Sequence, residues 1–331
     1  MENNQASCMD AETLLPNEKS TLTKTGNRTA LLLVLVFIFS NVIQFLMVLP
    51  LVLNAEMKYK TIDPLLQKLI LYIPTLIGIV LVILIARRIL NQKIFENYAK
   101  PKTGMSLIVN GFLVCVGAGT FGTILSNIIV ILFSCAGIST GMPNVTTSNN
   151  SAAATAVNIA YLCAIGPILE ETLFRGMILK SLRKFGNLFA IISSSILFGI
   201  FHFNLFQLIP TILIGIILAY IAVQAESIVP SIIVHVFYNL FNVGLSMFAT
   251  NIAQSIIGII NISLIIIAIV ILVIGRKHIK IPDGVKSKMS GKQKTVAFYF
   301  RSWIFYVLVL IFIISCIVLS SAQSEFISKL G

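Results

Sequence analysis

The segment Ala160-Tyr161-Leu162-Cys163-Ala164-Ile165-Gly166-Pro167-Ile168-Leu169-Glu170-Glu171-Thr172-Leu173-Phe174-Arg175 decides how this chain is read. It is apolar and helix-forming, and runs of roughly twenty apolar residues, the length that crosses a bilayer, recur along most of the sequence. In hydrocarbon every backbone N–H and C=O must be paired within its own segment, so such runs fold as helices. Two adjacent carboxylates nevertheless stand in the middle of this one. A charge at bilayer depth costs about 2.5–3.5 kcal/mol on insertion scales, and residues placed there at that cost mark functional sites. Between Gly104 and Gly275 the only charged residues are Glu170, Glu171, Arg175, Lys180, Arg183, Lys184 and Glu226. His202 and His235 lie in the same region, each within its own apolar run.

The wider composition agrees. The chain is 57% hydrophobic and 11% charged, against about 25% charged in a soluble domain, and its mean hydropathy is +0.97. The expected fold is an all-α, polytopic transmembrane bundle of about eight to nine spans. Candidate spans are 30–53, 68–86, 105–136, 156–179, 188–205, 208–224, 229–249, 252–275 and 298–321. The third is long enough to be tilted, to kink at Gly111, Gly117, Gly119 and Gly122, or to lie partly in the interface. The net charge of +12 falls mostly in short loops, as the positive-inside rule expects, so a nucleic-acid partner is not expected. The loop 87–103 (Arg87, Arg88, Lys93, Lys100, Lys102) and the basic loop 276–297 should both be cytoplasmic. Alternation from them gives a cytoplasmic N-terminus and an outer loop 137–155 that has no Lys or Arg. Lys58 and Lys60, in the loop 54–67, run against this topology.

Four parts are expected: a polar cytosolic tail at 1–29, N-terminal transmembrane helices at 30–137, a core at 150–250, and C-terminal helices at 251–331 that carry the basic loop. Short loops and an Ile/Lys-rich composition point to a bacterial cell membrane. The first 29 residues do not have the form of a signal peptide, and Glu2 excludes N-myristoylation. The two sequons of the expected outer loop, at Asn144 and Asn149, carry no weight. Cys115, Cys135, Cys163 and Cys316 lie in apolar segments and Cys8 in the tail, with no metal-type spacing.

The chemistry is expected from three stretches. In Glu170-Glu171-Thr172-Leu173-Phe174-Arg175, residues four apart share a helix face, so Arg175 can pair with Glu171. Glu170 points about 100° away and stays free to accept a proton. In Phe198-Gly199-Ile200-Phe201-His202 an aromatic ring and an imidazole share a face, and Gly199 permits close backbone approach. In His235-Val236-Phe237-Tyr238-Asn239 an imidazole and a carboxamide project together. A desolvated glutamate can act as a general base toward water, imidazoles can orient that water or bind a metal, and an amide N–H can meet an oxyanion. Asn204 and Asn242, nearby, read as interhelical hydrogen-bonding residues, and Glu226 as interfacial.

Glu-Glu-x-x-x-Arg, then Phe-x-x-x-His, then His-x-x-x-Asn, in that order and each in an expected span, resembles the CPBP family of intramembrane proteases. That family is also called Abi or type II CAAX prenyl protease and includes bacteriocin-immunity relatives. The resemblance covers roughly residues 150–250. It implies an endopeptidase acting on a membrane-associated protein or peptide, with Glu170 activating water and His202 helping to hold it. It also implies that His235 and Asn239 stabilise the oxyanion, while Arg175 with Glu171 organises the helix. Phe198 is expected to pack beside these groups. A divalent metal such as zinc stays open, with Glu170, His202 and His235 as its ligands. Two other readings of the same residues remain: a transporter that relays protons, and a non-catalytic immunity protein.

Overall fold

The computed structural model describes residues 16–53, 63–135, 151–247, 251–277, 279–281 and 299–328. Among these residues every regular element is helical. Nine long helices run in chain order: α1 (Pro16–Leu53), α2 (Pro64–Ile89), α3 (Met105–Cys135), α4 (Ala152–Phe185), α5 (Asn187–Phe201), α6 (Leu205–Ala225), α7 (Val229–Ser246), α8 (Asn251–Gly275) and α9 (Trp303–Ser328). Seven are long and apolar enough to cross a membrane, whereas the apolar helices Asn187–Phe201 and Trp303–Val318 are shorter. The chain is an integral membrane protein. Cys8, Asn144, Asn149, Lys58 and Lys60 lie outside the described residues, as does most of the loop 276–297.

Local chemistry sets several helix ends. The Asp63 carboxylate accepts from the N–H groups of Leu65 (2.9 Å) and Leu66 (3.1 Å), and Pro64 opens α2, where its missing N–H has no intrahelical role. Ser151 caps α4 by accepting from the N–H of Ala154 at 3.2 Å. Asn204 caps α6, accepting from the N–H of Phe206 at 2.8 Å, and Asn242 donates to the Tyr238 carbonyl of its own helix. Both therefore serve their own chain segment and do not bridge helices as expected.

Two further expectations change. Residues 16–29 were assigned to the polar tail, yet they form the first turns of α1. Their polarity is absorbed locally: Leu22 and Thr29 are buried, and the Thr29 hydroxyl meets the Tyr299 hydroxyl at 2.5 Å. α3 runs as one continuous helix through its glycines. They let neighbours approach: a Cβ at Gly122 would lie 2.6 Å from Pro210 Cα, and one at Gly117 would lie 2.6 Å from the Leu264 carbonyl oxygen. Small residues at such contacts suit membrane packing, where close van der Waals fit replaces the hydrophobic effect.

α4 runs through the middle of the bundle. Leu173, Phe174, Met177 and Ile178 are fully buried in a core shared with α1, α2 and α5. α5 and α6 form an antiparallel hairpin, with Gly199 beside the Leu208 carbonyl and Gly215 beside Ser195 and Phe198. The hairpin apex is the 202–204 turn, where Phe203 adopts φ +47°. A bulky side chain is rare in that left-handed region, and Phe203 is held there by its ring contact with Phe37 at 4.8 Å.

Candidate active site

The construction of the site begins in the backbone of α4. Tyr161–Ile165 is a π-helical turn, Gly166–Glu171 is α-helical, and Thr172–Leu179 is π-helical again. Gly166 donates its N–H five residues back, to the Tyr161 carbonyl. In that register the Leu162 carbonyl would be served by residue 167, which is proline and has no N–H. Asn239 of α7 fills the gap: its Nδ2 donates to the Leu162 carbonyl at 2.7 Å. π-turns inside α-helices occur frequently at functional sites, and here two of them flank the paired glutamates.

Glu171 is fully buried and pairs with Arg175, Nη1 to Oε1 at 3.0 Å. The guanidinium has two further anchors: Nη2 donates to the Gly215 carbonyl at 3.2 Å, and its carbon lies 4.4 Å from the centre of the Phe198 ring. Removing a charge pair from water is unfavourable unless the remaining hydrogen-bonding capacity is used, and here Arg175 Nε and Nη1 and Glu171 Oε2 are buried without a hydrogen-bond partner among the described residues. Ser231, one turn before His235 on α7, also faces Glu171.

His235 lies between the two carboxylates. Its Nδ1 is 3.1 Å from Glu171 Oε1 and its Nε2 is 3.8 Å from Glu170 Oε2. A carboxylate only accepts, so Nδ1 carries a hydrogen toward Glu171, and a neutral ring then presents an Nε2 lone pair toward Glu170. The 3.8 Å separation is too long for a hydrogen bond and short enough for one bridging water. Glu170 retains some exposure (17% of its side chain), and its Oε1 folds back toward Gly166, 3.9 Å from where a Cβ there would stand.

His202 caps the C-terminal end of α5, at the hairpin apex. Its Nδ1 donates to the Phe198 carbonyl at 2.8 Å, which leaves Nε2 as the acceptor. His202 couples electrostatically to both Glu170 and His235. Phe198 stands between the imidazoles, 5.0 Å from His202 and 5.9 Å from His235, edge to face with each. The depths agree as well. Glu170 lies fifteen residues before Phe185 and His202 fifteen after Asn187, so about 22 Å of helix at 1.5 Å per residue separates each from the Gly186 turn.

All seven residues singled out from sequence therefore share one neighbourhood built by α4, α5, α6 and α7. Sequence reading missed Leu162, Gly166 and Pro167, although a Gly-Pro pair inside an apolar helix is a visible signal of disturbed register. It also missed the Gly215 carbonyl and Ser231, which only tertiary packing brings to the site. Among the described residues no three His, Cys, Asp or Glu side chains are grouped to hold a metal ion, so Glu170, His202 and His235 are not assembled as a ligand set, and no step below runs through a metal.

Residues 152–241 match the family model described as type II CAAX prenyl endopeptidase Rce1-like. That segment resembles the domain of this family. No curated protein and no solved structure gives a significant match to the chain. The matched segment spans α4 to α7 as far as Phe241, and so contains every site residue described above. The family supports an intramembrane endopeptidase in general, with the lipid bilayer and a membrane-associated substrate as its surroundings.

Proposed function

We propose that the chain hydrolyses a peptide bond of a membrane-associated protein or peptide with a water activated by Glu170. The observation that carries this reading is His235 lying between the two glutamates. Glu171, anchored by Arg175, takes the Nδ1 hydrogen and so turns the Nε2 lone pair toward Glu170. A water donating one hydrogen to that nitrogen and the other to Glu170 Oε2 directs an oxygen lone pair outward for attack. As its oxygen bonds to the carbonyl carbon, one proton passes to Glu170, and the same proton returns to the leaving amine when the C–N bond breaks. His202 Nε2 offers an alternative acceptor for one of the water's two hydrogens, and the second Nδ2 hydrogen of Asn239 is available to an oxyanion.

At the basic end of the molecule a cavity of about 70 Å³ is lined by Glu96, Asn97, Lys180, Arg183 and Ser227 and reaches Arg175, while Glu170, His202 and His235 do not line it. By the positive-inside rule that end faces the cytoplasm, with the N-terminus.

The test compares purified wild type and Glu170→Gln on a library of membrane-anchored peptides, with and without a chelator. Wild type cleaves, and the variant loses at least about 100-fold in rate, the usual contribution of a general base. Undiminished cleavage by Glu170→Gln refutes the assignment. Ion flux in sealed vesicles without cleavage points instead to a proton relay. Loss of wild-type activity in chelator would add a metal to the scheme.

A further inference from the structure

A second cavity lies between α3, α5, α6 and α8. It measures about 820 Å³ and is lined mainly by aliphatic side chains, among them Val114, Leu188, Ile192, Ile216, Ile221 and Val270. That size is at the upper end for small-molecule sites. α8 packs chiefly on α3 and stands off from the α5–α6 hairpin, leaving the groove open along its length. The buried cluster of Cys115, Ile214, Leu218, Ile221 and Val234 backs it. Among the described residues no charged side chain lines the groove, and its polar groups are Ser106, Asn110 and Tyr220.

The charge lies at the mouth. α8 ends at Gly275, a lining residue, and Arg276 and Lys277 follow it, both exposed. Exposed Lys280 sits between the lining residues Ile279 and Ile281, and its carbonyl is held by the side-chain amide of Gln224 at the end of α6. The site thus has an aliphatic channel in the bilayer, a few polar groups, and three cations where the channel reaches the basic membrane surface. Basic residues flanking a membrane helix attract anionic lipid, and basic pockets between helices bind acidic head groups. We propose that this groove holds an anionic phospholipid, its acyl chain between α8 and the α5–α6 hairpin and its phosphate against Arg276, Lys277 and Lys280. This inference does not depend on the peptidase reading.

The chain's single tryptophan, Trp303, makes a direct test possible. In a Trp303→Phe background, one tryptophan is placed in the groove at Ile192 or, in a separate protein, at Ile216, and a control on α9 at Ile313, each position partly exposed. The full-length proteins are reconstituted in phosphatidylcholine vesicles with brominated phosphatidylglycerol or brominated phosphatidylcholine. Quenching of the groove tryptophan should favour the anionic lipid by about five-fold for each basic residue engaged. The preference should vanish in Arg276→Gln/Lys277→Gln/Lys280→Gln and be absent at Ile313. Quenching by both lipids alike, or none in the groove, overturns the proposal. Millimolar inorganic phosphate should leave the preference intact; its abolition would identify a simple anion site and overturn the lipid assignment.

Discussion

At the scale of single residues, the two glutamates divide their duties, and the division can be measured. Glu171 and Arg175 are a desolvated pair 3.0 Å apart. Removing one partner strands a buried charge, at about 3–5 kcal/mol. Arg175→Met should therefore lower the detergent unfolding temperature sharply, whereas Glu170→Gln should leave it within about 1 kcal/mol of wild type while removing cleavage. Equal destabilisation in both would refute the division. Asn239 invites a sharper test, because the family resemblance implies an oxyanion role for it and its Nδ2 lies 2.7 Å from the Leu162 carbonyl. Stranding that buried carbonyl should cost about 1–3 kcal/mol in Asn239→Ala. Pro167→Ala restores an N–H at the position the π register requires, so the cost of Asn239→Ala should shrink in that background, a coupling that a double-mutant cycle reads directly. Additive effects would mean that Asn239 does not support the turn. Glu170, Glu171, His202 and His235 were legible in the sequence because ionisable groups in hydrocarbon are conspicuous. The Leu162 carbonyl was not, because its need arises only once Pro167, the π turn and α7 come together.

At the scale of elements, α3 shows how the bundle is spaced. Gly117 faces α8 and Gly122 faces α6, each at a distance that a side chain would violate. Overpacking usually costs about 1–3 kcal/mol. Gly122→Leu should loosen α6, on which Arg175 depends through Gly215, and so reduce both stability and cleavage. Gly117→Leu should displace α8 and leave cleavage near wild type. Comparing activity with protease accessibility of the two variants checks this, and equal loss of activity in both would contradict it. Hydropathy revealed the helices, since bilayer thickness sets their length. It did not reveal that 188–205 ends as a helix at Phe201, because Phe203, which turns the chain there at positive φ, is itself apolar. Nor could it separate a glycine that bends a helix from one that seats a neighbour, which depends on what stands opposite.

At the scale of the whole molecule, most cations among the described residues gather at one end. Lys102 pairs with Glu226 and donates its backbone N–H to the Ala225 carbonyl at 3.0 Å. Lys180 reaches Asn97 at 3.0 Å, Lys184 feels Arg28 of α1, and Gln224 holds Lys280. The start of α1, the 90–104 connection, the Gly186 turn, the 226–228 turn and the end of α8 therefore lie on one side, as sequence alternation required. The Lys102 ammonium holds the Glu226 carboxyl below the usual carboxylate range. A carboxyl lowered in the folded state contributes fully above its ordinary value, about 4.3, and loses that contribution as pH falls through the lower folded value. Hydrogen exchange at the Lys102 amide should therefore follow its intrinsic pH dependence above about pH 4.3 and speed up relative to it only below. A Lys102→Ala variant loses the pair and, since residue 102 keeps its amide, should show faster exchange there at neutral pH with no such acid step. An acid step that survives in Lys102→Ala would show that some other group ties this end of the bundle together.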